Sequence, residues 1–191
     1  VTAKQIHSAD IRSIKDAADA LTEAQPGDAL TANLEKTLLA IQTADCMPIL
    51  FASKEGHVIG AAHAGWKGAF GGVTDRAVEA MEALGADRSR IAAVVGPCIA
   101  QASYEVDAAF EARFTSSDPD TERFFKAGRA GHAWFDLKGY VAARLAGFGV
   151  GSVAMLGEDT YAQDTRFYSF RRATHAGEAG YGRQISLIGL R

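Results

Sequence analysis

Short apolar runs alternate with helical stripes along the chain, and this alternation restricts the fold more than any other feature. Runs rich in strand-forming residues occupy Leu38–Thr43 and residues 47–52. A turn over residues 54–56 joins the second run to a third, at residues 57–63. This spacing predicts a buried β-hairpin.

Helical periodicity appears twice between further strand-like runs. The first stripe consists of Val73, Ala77, Val78, Met81 and Leu84, and the second of Leu137, Val141, Leu145 and Phe148. Gly85 is expected to end the first helix, and another helix is predicted over residues 106–114. Strands are predicted at Ile91–Val95, 152–156 and 184–190, and a surface excursion at 115–133. Because helices and strands alternate without a strict βαβ repeat, we expect a layered α/β or α+β domain with mixed β-sheets, in which residues 1–191 form a single domain.

Composition excludes several classes of protein. With 191 residues, 48% hydrophobic and 23% charged, the chain can bury one sizeable core. A net charge of -3 without a Lys/Arg cluster predicts neither a nucleic-acid partner nor binding to an anionic membrane. The apolar stretches are too short to span a bilayer, and the first residues lack a signal-peptide pattern. The two cysteines, one of them beside potential metal-ligand histidines, favour a reducing compartment, so a cytoplasmic location is expected.

Three separate segments offer nitrogen and sulfur donors. They are His7, Cys46 in the string Thr-Ala-Asp-Cys, and His63 at the start of His-Ala-Gly-Trp-Lys-Gly. Two imidazoles and one thiolate suit a catalytic zinc that keeps its fourth tetrahedral position open. The same residues allow another interpretation, in which Cys46 is a nucleophile and His63 its base. A cysteine hydrolase or deamidase of that kind does not require His7, whereas a three-ligand metal site does.

Cationic residues near these motifs are candidates for binding an anion. Gly65 and Gly68 flank Trp66 and Lys67, so the backbone can turn sharply while Lys67 reaches a ligand. Arg171 and Arg172 follow an aromatic run and suit phosphate or carboxylate, although an exposed basic strand end explains their composition equally well.

The remaining histidines and the second cysteine are interpreted structurally. His57, His132 and His175 are expected in solvated loops. Cys98 is expected to pack near the pocket.

Seven motifs, in order along the chain, carry a resemblance to a known family. They are Gln5-Ile6-His7, Asp28-Ala29-Leu30-Thr31, the strings around Cys46 and His63, Gly96-Pro97-Cys98-Ile99 with Tyr104-Glu105-Val106, Phe170-Arg171-Arg172, and Gly182-Arg183-Gln184. The chain resembles the laccase-domain or multicopper polyphenol oxidase proteins (YfiH-like), later described as purine nucleoside phosphorylases. This resemblance implies a cytosolic enzyme with a layered α/β fold and a zinc ion bound by His7, Cys46 and His63. Family members usually carry an upstream segment that this chain lacks, and that segment is expected to supply further substrate-binding residues.

The resemblance also implies an activity. Members phosphorolyse purine nucleosides such as inosine, adenosine and methylthioadenosine, and deaminate adenosine. Lys67, Arg171 and Arg172 are residue types suited to holding the phosphate. Asp45, next to a ligand, is a candidate acid–base group or a carboxylate that fixes an imidazole tautomer.

Other functions remain open at this point. A multicopper oxidase needs many histidines, and this chain has five. Copper is therefore expected as a competitor of zinc at the same site. A copper-dependent polyphenol oxidoreductase is kept as a further alternative. A metal-dependent binding module is a non-enzymatic alternative. A homodimer is possible.

Overall fold

The computed structural model describes residues 1–21 and 23–191, which form eleven strands and six α-helices. The strands are β1 (Ile11–Ile14), β2 (Ala29–Ala32), β3 (Leu38–Thr43), β4 (Met47–Ser53), β5 (Ile59–Ala64), β6 (Ile91–Val95), β7 (Glu105–Asp107), β8 (Phe125–Ala127), β9 (His132–Phe135), β10 (Ser152–Met155) and β11 (Gln184–Gly189). The helices are α1 (Ala17–Leu21), α2 (Trp66–Phe70), α3 (Val73–Ala83), α4 (Ala108–Ser117), α5 (Leu137–Gly147) and α6 (Phe170–Ala176). Among the described residues, no helix is long and apolar enough to cross a membrane.

A six-stranded mixed sheet forms the centre of the molecule. Its strand order is β1-β2-β5-β4-β6-β10, with parallel pairing at both edges and antiparallel pairing between. Strands β3 and β11 form a separate antiparallel pair, and β7, β9 and β8 a small antiparallel sheet. The predicted class, an α+β fold with mixed sheets, is confirmed.

Strand β5 is buried along its whole length because both faces of the central sheet are covered. Helix α3 packs on one face, and the β3–β11 pair packs on the other. The larger core lies on the α3 side and includes Phe51, Met81 and Phe135. The smaller core, around Leu30 and Ile41, lies under β3 and β11. These two layers fix the end of β5, where His63 is located.

The predicted hairpin and the two helices with clear apolar stripes are confirmed. Strands β4 and β5 pair in antiparallel fashion, and α3 and α5 lie where the stripes place them. Cys98 is fully buried in the larger core, as expected.

The structure refines two predictions for residues 106–133. The predicted helix over 106–114 begins only at Ala108, because Asp107 caps it by accepting a hydrogen bond from the amide of Phe110 at 2.7 Å, while Val106 pairs with Ala133 in a strand. The segment over 115–133 is mostly exposed, as predicted, but it has regular structure of its own. It completes α4 and forms β8, and the Phe125 ring stacks on Phe135 at 4.7 Å between centroids.

Candidate functional site

The side chains of His7, Cys46 and His63 meet at one end of the central sheet. Cys46 Sγ lies 3.7 Å from His7 Nε2, and the two imidazole rings are 4.8 Å apart between centroids. The potential ligand atoms of all three residues lie within 4.8 Å of one another. The structure therefore brings the sequence-predicted donors together, while their binding of a metal stays a prediction.

Sheet register and one glycine create this meeting point. Met47 pairs with Ala64, so Cys46, just before β4, lies beside Gly65, just after β5. A Cβ atom on Gly65 would lie 2.9 Å from Cys46 Sγ and 2.9 Å from His7 Cδ2. The cluster needs this close backbone approach, which only glycine permits.

Asp28 is a candidate site residue to which the sequence alone assigned no role. Its fully buried carboxylate contacts His63 Nδ1 at 2.8 Å and accepts hydrogen bonds from the backbone amides of Ile6, His7 and Ser8. Burial alone would raise the pKa of Asp28, but the hydrogen bonds from His63, Ser8 and Ile6 outweigh it and lower the pKa to about 2. Its signal in the sequence was its place in the family motif Asp28-Ala29-Leu30-Thr31 rather than a local pattern.

Asp45 does not have the predicted role beside an imidazole. Its carboxylate accepts hydrogen bonds from the Thr160 hydroxyl at 2.7 Å, the Ser169 hydroxyl at 2.9 Å and the Arg171 amide at 2.7 Å. The prediction that Asp45 fixes an imidazole tautomer was wrong, because Asp28 is the carboxylate on His63. Asp45 instead joins the turn that carries Cys46 to the start of α6.

Two of the three predicted anion-binding cations face a cavity at the cluster, and the third does not. Lys67 and Arg171 line a cavity of about 280 Å³, which also contacts His7 and Cys46. The guanidinium of Arg172 instead donates to the carbonyls of Thr160, Tyr161 and Phe167 at 2.6 to 2.8 Å. Both arginines belong to helix α6 rather than to a strand end.

Aromatic rings form much of the wall of the cavity that contains Lys67 and Arg171, here called the aromatic cavity. Its aromatic lining residues are Trp66, Tyr104 and Phe170. The Arg171 guanidinium lies 5.4 Å from the centre of the Tyr104 ring and donates to the carbonyl of Glu105 at 2.9 Å. The aromatic cavity therefore combines flat apolar walls with fixed positive charge.

A second cavity, of about 300 Å³, contacts all three donors and is here called the polar cavity. Gln5, Gln42, Thr43 and Arg183 contribute its polar lining. Among the residues that the structure describes, only His7 and Cys46 line both cavities. These two side chains form the partition between them, so the cluster is reachable from two directions.

Ionisation at the cluster favours metal ligation over a free thiolate. Desolvation and the neighbouring His63 lower the pKa of His7, which leaves its imidazole neutral at physiological pH. Burial, together with the carboxylates of Asp45 and Asp28, raises the pKa of Cys46 to about 12. A thiolate at this position therefore needs a cation, and a metal ion is the cation that this donor set suits.

The spacing of one donor pair fits a tetrahedral ion. Nitrogen and sulfur ligands of one tetrahedral zinc ion are separated by about 3.5 Å, given metal–ligand bonds of about 2.0 to 2.3 Å. The separation of 3.7 Å between His7 Nε2 and Cys46 Sγ is close to that value. The two-imidazole, one-thiolate set suits zinc and copper, so it indicates a metal site without fixing the metal.

The other three histidines lie apart from this cluster. His57 is exposed at the turn between β4 and β5, as expected. His132 lies in strand β9 with Arg129 as its neighbour, and His175 lies in α6, where its Nδ1 pairs with the Tyr161 hydroxyl at 2.9 Å. The expected loop positions of His132 and His175 were therefore wrong.

Comparison with known proteins gives related proteins over the whole chain. Residues 1–191 match the family described as multi-copper polyphenol oxidoreductase laccase. A purine nucleoside phosphorylase of Rickettsia conorii is 38% identical over 175 residues, which are 91% of this chain and 71% of that protein. A purine nucleoside phosphorylase of Deinococcus radiodurans is 44% identical over 164 residues, which are 86% of this chain and 61% of that protein.

Solved structures share the fold. A protein of Neisseria meningitidis superposes with a TM-score of 0.88 at 32% identity, covering 99% of this chain and 74% of that one. YfiH of Bacillus licheniformis superposes with a TM-score of 0.89 at 27% identity, covering 100% of this chain and 74% of that one. The chain belongs to the multi-copper polyphenol oxidoreductase laccase family, whose relatives include proteins named purine nucleoside phosphorylase.

Proposed function

We propose that the protein is a zinc-dependent purine nucleoside phosphorylase that also deaminates adenosine. Its substrates would be inosine, adenosine and methylthioadenosine, with phosphate as the co-substrate for cleavage and water for deamination. The observation that carries the proposal is the His7, Cys46 and His63 cluster at the boundary of two cavities. The names of the relatives supply the reaction class.

The aromatic cavity suits the purine nucleoside. Trp66, Tyr104 and Phe170 offer flat apolar surfaces to a planar base. Burial raises the pKa of the Tyr104 phenol, so its hydroxyl stays protonated and able to donate. Lys67 and Arg171 add positive charge beside the cluster, as a phosphate dianion requires.

Phosphorolysis forms a bond between a phosphate oxygen and the sugar carbon C1′ and breaks the bond from that carbon to the purine nitrogen. Zinc, when bound, supplies Lewis-acid stabilisation of negative charge that develops in the reaction. The chain itself positions the reactants. Asp45 holds the amide of Arg171, and Asp28 orients His63, so both the cation and the imidazole have fixed places.

The geometry disfavours a Cys46–His63 nucleophilic pair. Cys46 Sγ lies 3.7 Å from His7 Nε2, and among the described residues its hydrogen-bond partner is His7 rather than His63. The contact of Asp28 with His63 Nδ1 leaves Nε2 free, as both a metal ligand and a general base require. The raised pKa of the thiol further opposes a metal-free nucleophile. A copper-dependent oxidoreductase is disfavoured because only two of the five histidines join the cluster.

Metal analysis and paired activity assays test the proposal. Purified protein should carry about one zinc ion per chain, and Cys46→Ala should abolish it. Inosine cleavage should require phosphate, and adenosine deamination should not. Stoichiometric zinc in Cys46→Ala, or a rate of inosine cleavage that does not depend on phosphate, would contradict the proposal.

Histidine variants separate the metal mechanism from the cysteine hydrolase. His7→Ala should lose activity about as completely as His63→Ala, because ligands of one ion act as a unit. His57→Ala is the matched control, since His57 is exposed away from the cluster and should keep full activity and zinc. Near-normal turnover in His7→Ala would favour the Cys46–His63 pair instead.

A further inference from the structure

One buried carboxylate contacts both histidine-bearing segments of the cluster. We propose that Asp28 is the positioning residue that sets His7 and His63 as a pair, so that metal affinity depends on a residue that is not itself a ligand. This inference rests on the proposed metal site and goes beyond it by assigning its organiser. It concerns binding geometry and is independent of which substrate the site takes.

The two carboxylate oxygens of Asp28 contact different groups. Oδ1 lies 2.8 Å from His63 Nδ1 and accepts a hydrogen bond from the His7 amide at 3.0 Å. Oδ2 accepts from the Ser8 amide at 2.5 Å, the Ser8 hydroxyl at 2.9 Å and the Ile6 amide at 3.2 Å. A single oxygen atom thus contacts the ring of one histidine and the backbone of the other.

Asp28 itself is fixed by the central sheet. Ala29 pairs with Ala62 across β2 and β5, which places Asp28 opposite His63. The amide of His63 also donates to the carbonyl of Asp28 at 2.7 Å. Backbone pairing and side-chain contact therefore hold the same two residues together.

The segment that carries His7 depends on this anchor. His7 lies outside the strands and helices and adopts a φ of 61°, a left-handed conformation that is uncommon for a residue with a side chain. Helix α2 packs closely against the segment that carries His7, since a Cβ atom on Gly68 would lie 2.9 Å from the Ser8 carbonyl oxygen. Hydrogen bonds to Asp28 and packing against α2 together impose a conformation that His7 would otherwise rarely adopt.

The contact with Asp28 also selects the free nitrogen of His63. Because Nδ1 faces the carboxylate, Nε2 is the ring nitrogen left for a metal. Five hydrogen-bonding atoms already surround the two oxygens, so Asp28 acts through the histidines and does not bind the metal.

Zinc titration of three variants tests the assignment. Asp28→Asn can keep an oxygen acceptor towards His63. Its side-chain NH2 group would then face the backbone N–H groups of Ile6 and Ser8, so hydrogen-bond donors would oppose each other. Ser8→Ala removes the hydroxyl contact with Asp28 and the hydrogen bond from the Asp10 amide to that hydroxyl, and it keeps the Ser8 amide contact with Asp28. Asp10→Asn makes the same chemical change in the same segment at an exposed carboxylate and is the matched control.

Zinc affinity is measured by competition with a chromophoric chelator, and thermal unfolding is followed on the metal-free proteins. We expect Asp28→Asn to weaken zinc binding about 10- to 100-fold, which is typical when a partner of a metal-bound histidine is lost. Ser8→Ala should weaken binding by a smaller factor, and Asp10→Asn should leave it unchanged.

The two readouts distinguish positioning from a purely structural role. If Asp28 only supports the fold, Asp28→Asn will unfold at lower temperature while its folded form binds zinc like the parent protein, and the inference is overturned. Should Asp28→Asn not fold, Ser8→Ala decides, and parental zinc affinity in that variant overturns the inference. Because the probe is zinc alone, loss of phosphorylase activity leaves the inference standing, whereas a parent protein that binds no zinc overturns both proposals.

Discussion

Replacing Gly65 with alanine should disable the metal site while preserving the fold. The new Cβ atom would lie 2.9 Å from Cys46 Sγ and 2.9 Å from His7 Cδ2, whereas ordinary contacts of this kind begin at 3.4 Å. Reaching an ordinary contact distance takes a displacement of about 0.5 Å, the difference between 3.4 and 2.9 Å. Functional constellations tolerate about 0.5 Å, and overpacking of this kind costs about 1 to 3 kcal/mol. If that cost falls on the metal-bound geometry, zinc affinity drops by about 5- to 150-fold.

The assay compares zinc affinity and urea unfolding in Gly65→Ala and in a second glycine variant. Gly147 lies at the end of α5 with nothing within 4 Å of its added Cβ atom, so Gly147→Ala is the matched control. Gly147→Ala should keep parental zinc affinity and gain up to about 1 kcal/mol of stability, because alanine is the better helix former. Parental zinc affinity in a folded Gly65→Ala protein would refute the close-approach argument.

Two further predictions concern pH and the arginines of α6. In the metal-free protein, the pKa of Asp28, about 2, lies below its ordinary value of 3.8, so its stabilisation is complete above about pH 5 and is lost as the pH falls towards 2. The free energy of unfolding, measured with urea, should fall by about 2 kcal/mol over this range and by clearly less in Asp28→Asn; an equal fall in both proteins would contradict the assignment. Arg171→Lys should raise the phosphate requirement for inosine cleavage and affect adenosine deamination much less, because a point charge cannot replace a planar fork. Arg172→Lys should lower stability and both activities together, since Arg172 binds three backbone carbonyls, and a phosphate-specific defect in that variant would reverse the two roles.

Local periodicity was sufficient to predict much of the fold. The β4–β5 hairpin and helices α3 and α5 follow from apolar spacing within a single window of sequence, because each buries one continuous face. The donor types of His7, Cys46 and His63 likewise identified the cluster before its geometry was known. A site whose chemistry depends on the types of its residues can be predicted from the sequence in this way.

The long-range hydrogen bonds of the site could not be predicted from the sequence. Asp28 contacts residues about twenty positions earlier and His63, 35 positions later, while Asp45 reaches Ser169, 124 positions away. Nothing in the local pattern distinguishes these two carboxylates from turn or cap residues. The same reason explains Arg172, whose partners are backbone carbonyls that carry no residue signature.

Asp28 and Asp45 each stabilise one of the loop segments that form the site. His7 and Asp45 adopt φ values of 61° and 79°, and each such conformation costs of order 1 to 3 kcal/mol for a residue with a side chain. Asp28 holds the first segment and the Asp45 carboxylate holds the second, in both cases through several hydrogen bonds that involve no metal. Because these contacts are made between groups of the protein, we expect them to persist when the metal is removed. Metal removal should therefore leave the fold intact, unlike in a zinc finger, where binding and folding are one event.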